Sequence, residues 1–171
     1  LSGFFWANDE RLIYVRDFGG DENFHLFSVT REGEDEKDLT PFENVRVEIV
    51  DDLENDEDHL IIGINKRLPQ VFDPYRINIQ TGEMHQLAEN PGNISSWMTD
   101  HEGKMRIAIA TDGINNSILY RKTESDEFKS IITTNFKESV SPLYFDFDNK
   151  EIIYALSNLG RDKSAIVKMN I

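Results

Sequence analysis

The sequence predicts an all-β fold, a partial β-propeller of four-stranded antiparallel blades. Three observations predict it. Short apolar strands recur in pairs, the pairs return at a near-constant period, and no stretch carries the spacing of a long helix. The first strands of the pairs hold Leu12, Leu60, Arg106 and Ile152 at matching positions, 48, 46 and 46 residues apart. The second strands hold Leu26, Tyr75, Leu119 and Ile166, separated by 49, 44 and 47 residues. Two independent series thus give one period, in the range of a propeller blade.

Each blade is legible in order. A leading strand opens it: FFWAND (4–9), VEIVDD (47–52), SSWMTD (95–100) and PLYFDFD (142–148). Each of these runs into a turn with an acidic residue, whose carboxylate can bond its own backbone. The central pairs follow: RLIYVRD with FHLFSVT, HLIIGIN with YRINI, MRIAIAT with SILYRKT, and EIIYALS with SAIVKMN. A short fourth strand is expected at EKDLT (36–40), MHQLA (84–88) and FKSIITT (128–134). Gln80-Thr81-Gly82-Glu83 suits a tight hairpin in which Gly82 supplies positive φ. The expected blades are residues 1–43, 44–94, 95–140 and an incomplete 141–171, together one propeller segment over 1–171. An open series of blades leaves apolar faces and strand edges bare, which predicts self-association through the blade ends.

Composition limits the function. The net charge is −14, and residues 31–58 hold 13 Asp/Glu against 3 Lys/Arg. Such a field repels nucleic-acid phosphates and anionic lipid, so neither nucleic acid nor membrane is an expected partner. The chain has no cysteine, which removes disulfides, thiolate metal sites and cysteine nucleophiles. That leaves both cytoplasm and periplasm open. The first residue is Leu1 and no basic segment precedes an apolar run, so the chain reads as a piece of a longer protein.

Within this frame one stretch is specific. Asp17, then Gly20-Asp21-Glu22-Asn23, then Leu26-x-x-Val29, closing with Leu39-Thr40-Pro41, resembles a blade of the prolyl oligopeptidase family of serine peptidases. The nearest branch is similar to acylaminoacyl peptidases and bacterial dipeptidyl aminopeptidases, and TolB-like propellers share the general blade pattern. The specific match covers residues 14–42, with weaker echoes in the next two blades. The resemblance implies a two-domain enzyme: a propeller over an α/β-hydrolase domain whose Ser-His-Asp triad cleaves short peptides. This chain would be its noncatalytic part, gating access, with the hydrolase domain of the parent chain as its partner.

The search for chemistry agrees with a noncatalytic part. None of the 10 glycines is followed two positions later by serine, so the G-x-S-x-G elbow of an α/β-hydrolase is missing. Nor is any followed by a second glycine, which excludes G-x-G-x-x-G. His25, His59, His85 and His101 read as strand or turn residues, and DDLENDEDH lacks the glycine and spacing of a calcium loop. Trp6 and Trp97 are expected to pack between blades. No catalytic, cofactor or metal residue is assigned, and no cofactor is expected. Two other readings stand beside this one. A stand-alone TolB-like propeller would serve as a protein-binding scaffold. A carbohydrate-active propeller would need carboxylates around a central pocket, whereas the acids here cluster in turns.

Overall fold

The computed structural model describes residues 1–171, and its regular structure is strand throughout. In the first sheet are β1 (Gly3–Trp6), β2 (Arg11–Arg16), β3 (His25–Thr30) and β4 (Lys37–Asp38). The second holds β5 (Val47–Asp51), β6 (His59–Leu68), β7 (Val71–Asn78) and β8 (Met84–Gln86). The third holds β9 (Ile94–Thr99), β10 (Met105–Thr111), β11 (Asn116–Tyr120) and β12 (Lys129–Thr134). The last holds β13 (Val140–Phe145), β14 (Ile152–Ser157) and β15 (Ala165–Asn170). Every pairing is antiparallel and joins strands consecutive in the chain, so each sheet is a meander. The fold is that of a partial all-β propeller.

The chain divides into two compact units, Leu1–Gly92 and Asn93–Ile171, each with two sheets. In the first unit the two-residue alternation of the strands sends one side of each inward. Ile13 and Leu26 from one sheet meet Leu60, Ile62, Ile64 and Ile77 from the other, all fully buried. Each such side chain gains about 1.5–3 kcal/mol by leaving water. In the second unit Ile107 and Ile118 pack with Phe145, Ile153 and Ala155 in the same manner.

The turns between first and second strands repeat one device. Asn8 Oδ1 accepts from the Glu10 and Arg11 N–H groups, and Asp51 Oδ1 from Leu53 N–H. Asp100 Oδ1 accepts from Glu102 and Lys104 N–H, and Asp146 Oδ1 from Asp148 and Asn149 N–H. The acid-bearing turns read from sequence are therefore side-chain-closed turns, with Asn8 rather than Asp9 acting in the first blade.

One expectation needs correction. The sequence pattern ends HLIIGIN at 65 and starts YRINI at 75, but β6 and β7 run on as one hairpin with Leu68 opposite Val71. A proline inside a run ordinarily stops a strand, yet Pro74 lies opposite Gly63 and its carbonyl accepts from Leu87 N–H. The extension is pinned by Asp73, 1% exposed, which takes Arg67 Nε at 2.9 Å, Arg67 Nη2 at 3.1 Å and Asn90 N–H at 2.7 Å. Trp6 lies on the face of the first sheet turned away from the second, and is 57% exposed. It stands on β1 with Phe4, on the face opposite Phe5, and only Phe5 joins the core. Trp97 is half-buried and lies against Phe128 with centroids 5.8 Å apart.

Candidate functional site

An open concavity grows out of the Gly-Asp-Glu-Asn turn between β2 and β3. Gly19, Gly20 and Glu22 have φ of 69°, 87° and 60°, which reverses the chain within a few residues. Asp21 closes the turn: Oδ1 accepts from Phe18 N–H at 3.2 Å and Asn23 N–H at 3.1 Å, and Oδ2 from Asn23 Nδ2 at 3.1 Å. Partial desolvation raises the Asp21 carboxyl pKa, but these hydrogen bonds outweigh it and hold the group below the ordinary carboxylate value.

Immediately after the turn, His25 opens β3 with only 8% of its surface exposed. Its Nδ1 lies 2.8 Å from Asp38 Oδ2, and Asp38 Oδ1 in turn accepts from Thr40 N–H at 2.9 Å. Thr40 Oγ1 accepts from Leu26 N–H, which fixes the end of the hairpin. With Nδ1–H donated to Asp38, Nε2 carries the free lone pair. Phe18 packs edge-on to the imidazole, centroids 5.2 Å apart. The ring forms one wall of an open cleft of about 420 Å³, completed by Asp21, Asn23 and the segment Pro41–Asn44. Lys66, on the extended β6, places Nζ 3.7 Å from the Phe42 ring centroid.

The lining offers two carboxylates, two amides, an imidazole acceptor and two phenyl rings, and no hydroxyl or thiol side chain. This set binds donors or cations against an apolar wall and supplies no nucleophile. The other histidines have separate duties. His59 Nδ1 lies 3.0 Å from Asp56, which also takes Arg76 Nη1 at 3.0 Å. His101 Nε2 donates to the Phe145 carbonyl and its ring stacks on Phe147. His85 is exposed on β8. No group of three or more His, Cys, Asp or Glu side chains is arranged to hold a metal ion. The His25–Asp38 pair escaped the sequence reading because the residues are 13 apart and meet only through the β3–β4 hairpin.

No family model matches the chain. Along its whole length it is 25% identical to dipeptidyl aminopeptidase BIII of Pseudoxanthomonas mexicana. Its propeller repeats are similar to those of prolyl oligopeptidase-family peptidases. It spans 25% of the length of that curated relative. Among solved structures, prolyl oligopeptidase B of Galerina marginata matches 94% of the chain with TM-score 0.59 and 11% identity, over 23% of its own length. An oligogalacturonate lyase in complex with manganese matches 99% of the chain with TM-score 0.71 and 15% identity, over 48% of its length. At these identities the structural matches speak to the fold alone. The resemblance to the prolyl oligopeptidase family therefore rests on the relative that matches the whole of this chain, together with the residue 14–42 cassette.

Proposed function

We propose that residues 1–171 are four consecutive blades of the propeller of a prolyl-oligopeptidase-like serine peptidase, noncatalytic themselves. Their role is to gate the access of short peptides to an α/β-hydrolase domain elsewhere in the parent chain. The observation that carries this reading is the similarity to dipeptidyl aminopeptidase BIII, which covers 100% of the chain. Two features support it. No nucleophile elbow occurs in the sequence, and the cleft beside His25 presents binding groups without a nucleophile. Packed sheets suit a filter, since only what passes them reaches the reactive serine.

The test is made on the parent protein. A fluorophosphonate probe should label one serine outside residues 1–171, and chromogenic dipeptidyl or acylaminoacyl substrates should be cleaved. Removing the propeller should raise relative turnover of long peptides over short ones. A parent that carries no serine-reactive domain would overturn the proposal, and recovery of a stable protein partner instead would favour the scaffold reading.

A further inference from the structure

His25 carries an atom that the fold does not use. Its side chain is 10% exposed, and Nδ1 is committed to Asp38 at 2.8 Å. Nε2 makes no hydrogen bond within the chain, yet it is not sealed off, because the one side-chain nitrogen or oxygen enclosed without a partner is Arg16 Nε. His25 lines the cleft and Asp38 does not, so the ring edge that carries Nε2 is turned to the opening. A buried acceptor without a donor forfeits its hydration. One that opens only to a cleft is therefore placed for an incoming N–H to meet.

The rest of the lining says what charge that donor carries. Asp21 Oδ1 takes two N–H groups and Oδ2 one, of the roughly four lone pairs an ionised carboxylate offers, so Oδ2 keeps a position open. Glu43 is exposed and enters no salt bridge. Two carboxylates make the cleft negative, which refuses an anion and draws a cation. Phe18 and Phe42 supply aromatic faces, and Phe42 already takes a cation, with Lys66 Nζ 3.7 Å from its centroid. An ammonium is a compact, strongly hydrated point charge. A guanidinium is planar, weakly hydrated, stacks on aromatic rings and spreads five N–H donors around its edge. The second matches acceptors carried by several segments with phenyl rings beside them.

We propose that this cleft binds a guanidinium group, its charge met by Asp21 and Glu43, one N–H donated to His25 Nε2, and its plane laid against a phenyl ring. A free guanidino compound and the arginine side chain of a peptide share this chemistry. The inference goes beyond gating, and it holds for a peptidase or a scaffold parent, because every group it uses lies within Leu1–Gly92.

The test is carbethoxylation of the full-length parent with diethyl pyrocarbonate at pH 7, each modified histidine being located by peptide mass spectrometry. The reagent reacts with an unprotonated imidazole nitrogen, so His25 should react through Nε2, with the exposed His85 as the reference for reagent strength. A ligand of this size should bind an open cleft with a Kd of about 1 mM, so about 10 mM Nα-acetylargininamide should slow His25 roughly 10-fold relative to His85. Nα-acetyllysinamide should slow it less than about 2-fold. Glu43→Gln, which alters an exposed charge outside the Asp21 turn, should cut the arginine analogue's protection to about 3-fold, and Lys66→Gln should raise it. If the tripeptide Ala-Arg-Ala protects at lower concentration than Nα-acetylargininamide, the guanidinium belongs to a peptide; equal or weaker protection assigns it to a small solute. A His25 that does not react without ligand, equal protection by the lysine analogue, or protection unchanged by Glu43→Gln overturns the inference. Peptidase activity measured on the same samples tests the proposed function separately, so the two fail independently.

Discussion

Position 106 is where the third blade departs from its repeats, and it makes the sharpest stability prediction. The strand register places it level with Glu10, Asp58 and Glu151, whose carbonyls take the same backbone bond in the other blades, yet here an arginine is buried with 8% of its side chain exposed. Its charge is met by Asp100, 3% exposed, at 2.8 Å, while Nε donates to the Arg121 carbonyl and Nη2 to Tyr120. Removing one partner of a buried pair strands the other charge, at a cost of about 3–5 kcal/mol. Asp100→Asn is the right perturbation, because Asn8 shows that an amide oxygen closes the same turn in the first blade. The turn survives and only the charge is lost. Adding Arg106→Leu removes the stranded charge and should recover the protein to within ~2 kcal/mol of wild type, the remainder being donors withdrawn from Arg121 and Tyr120. Urea unfolding read by Trp97, on β9 of the same sheet, measures both in a Trp6→Phe background. Asp100→Asn costing under ~1 kcal/mol, or a double variant less stable than the single, would refute the reasoning.

Other predictions concern titration, backbone and the cleft. Backbone donation from Asn115 holds the Asp112 carboxyl at about 2, and Lys168 does the same for Asp146. Depressed carboxylates stabilise the fold above their unfolded pKa of ~3.9, so circular dichroism should show stability lost as pH falls from about 4 through 2. Burial, with donation to Glu36, pushes Tyr14 up to about 12, so absorbance titration of the tyrosinates should show one of the five ionising last. Gly82 has φ 76° and a Cβ there would meet the Leu39 carbonyl oxygen at 3.3 Å, whereas Gly113, at φ 90°, faces open space. Both alanine substitutions should cost ~1–2 kcal/mol for the left-handed backbone, with Gly82→Ala the larger by denaturant midpoint. Nitrogen-15 spectra of His25 should show Nδ1 protonated and Nε2 bare, and Asp38→Asn should abolish that preference.

How much of this was legible follows from what a period can encode. Strand positions repeat because every blade must present alternate residues to its neighbour, so Leu12, Leu60 and Ile152 announce themselves in sequence. The Asp21 turn was legible for the same reason: its bonds reach only to Phe18 and Asn23. The Arg67–Asp73–Asn90 cluster and the His25–Asp38 pair were not, because each depends on hairpin register or a link, and neither recurs in another blade.

The acidic load at the first-to-second turns separates what the fold demands from what it does not. Each of those turns needs one side-chain oxygen to accept the returning backbone, a need met by Asn8, Asp51, Asp100 and Asp146. Asn8 performs it without charge, so the acceptor matters and the negative charge does not. The remaining carboxylates in 52–58 are largely surplus: Asp56 pairs with His59 and Arg76, but Glu54, Glu57 and Asp58 make no ion pair. Like charges at such density repel and lower stability slightly, which packing of Leu60, Ile62 and Ile64 beneath them offsets many times over.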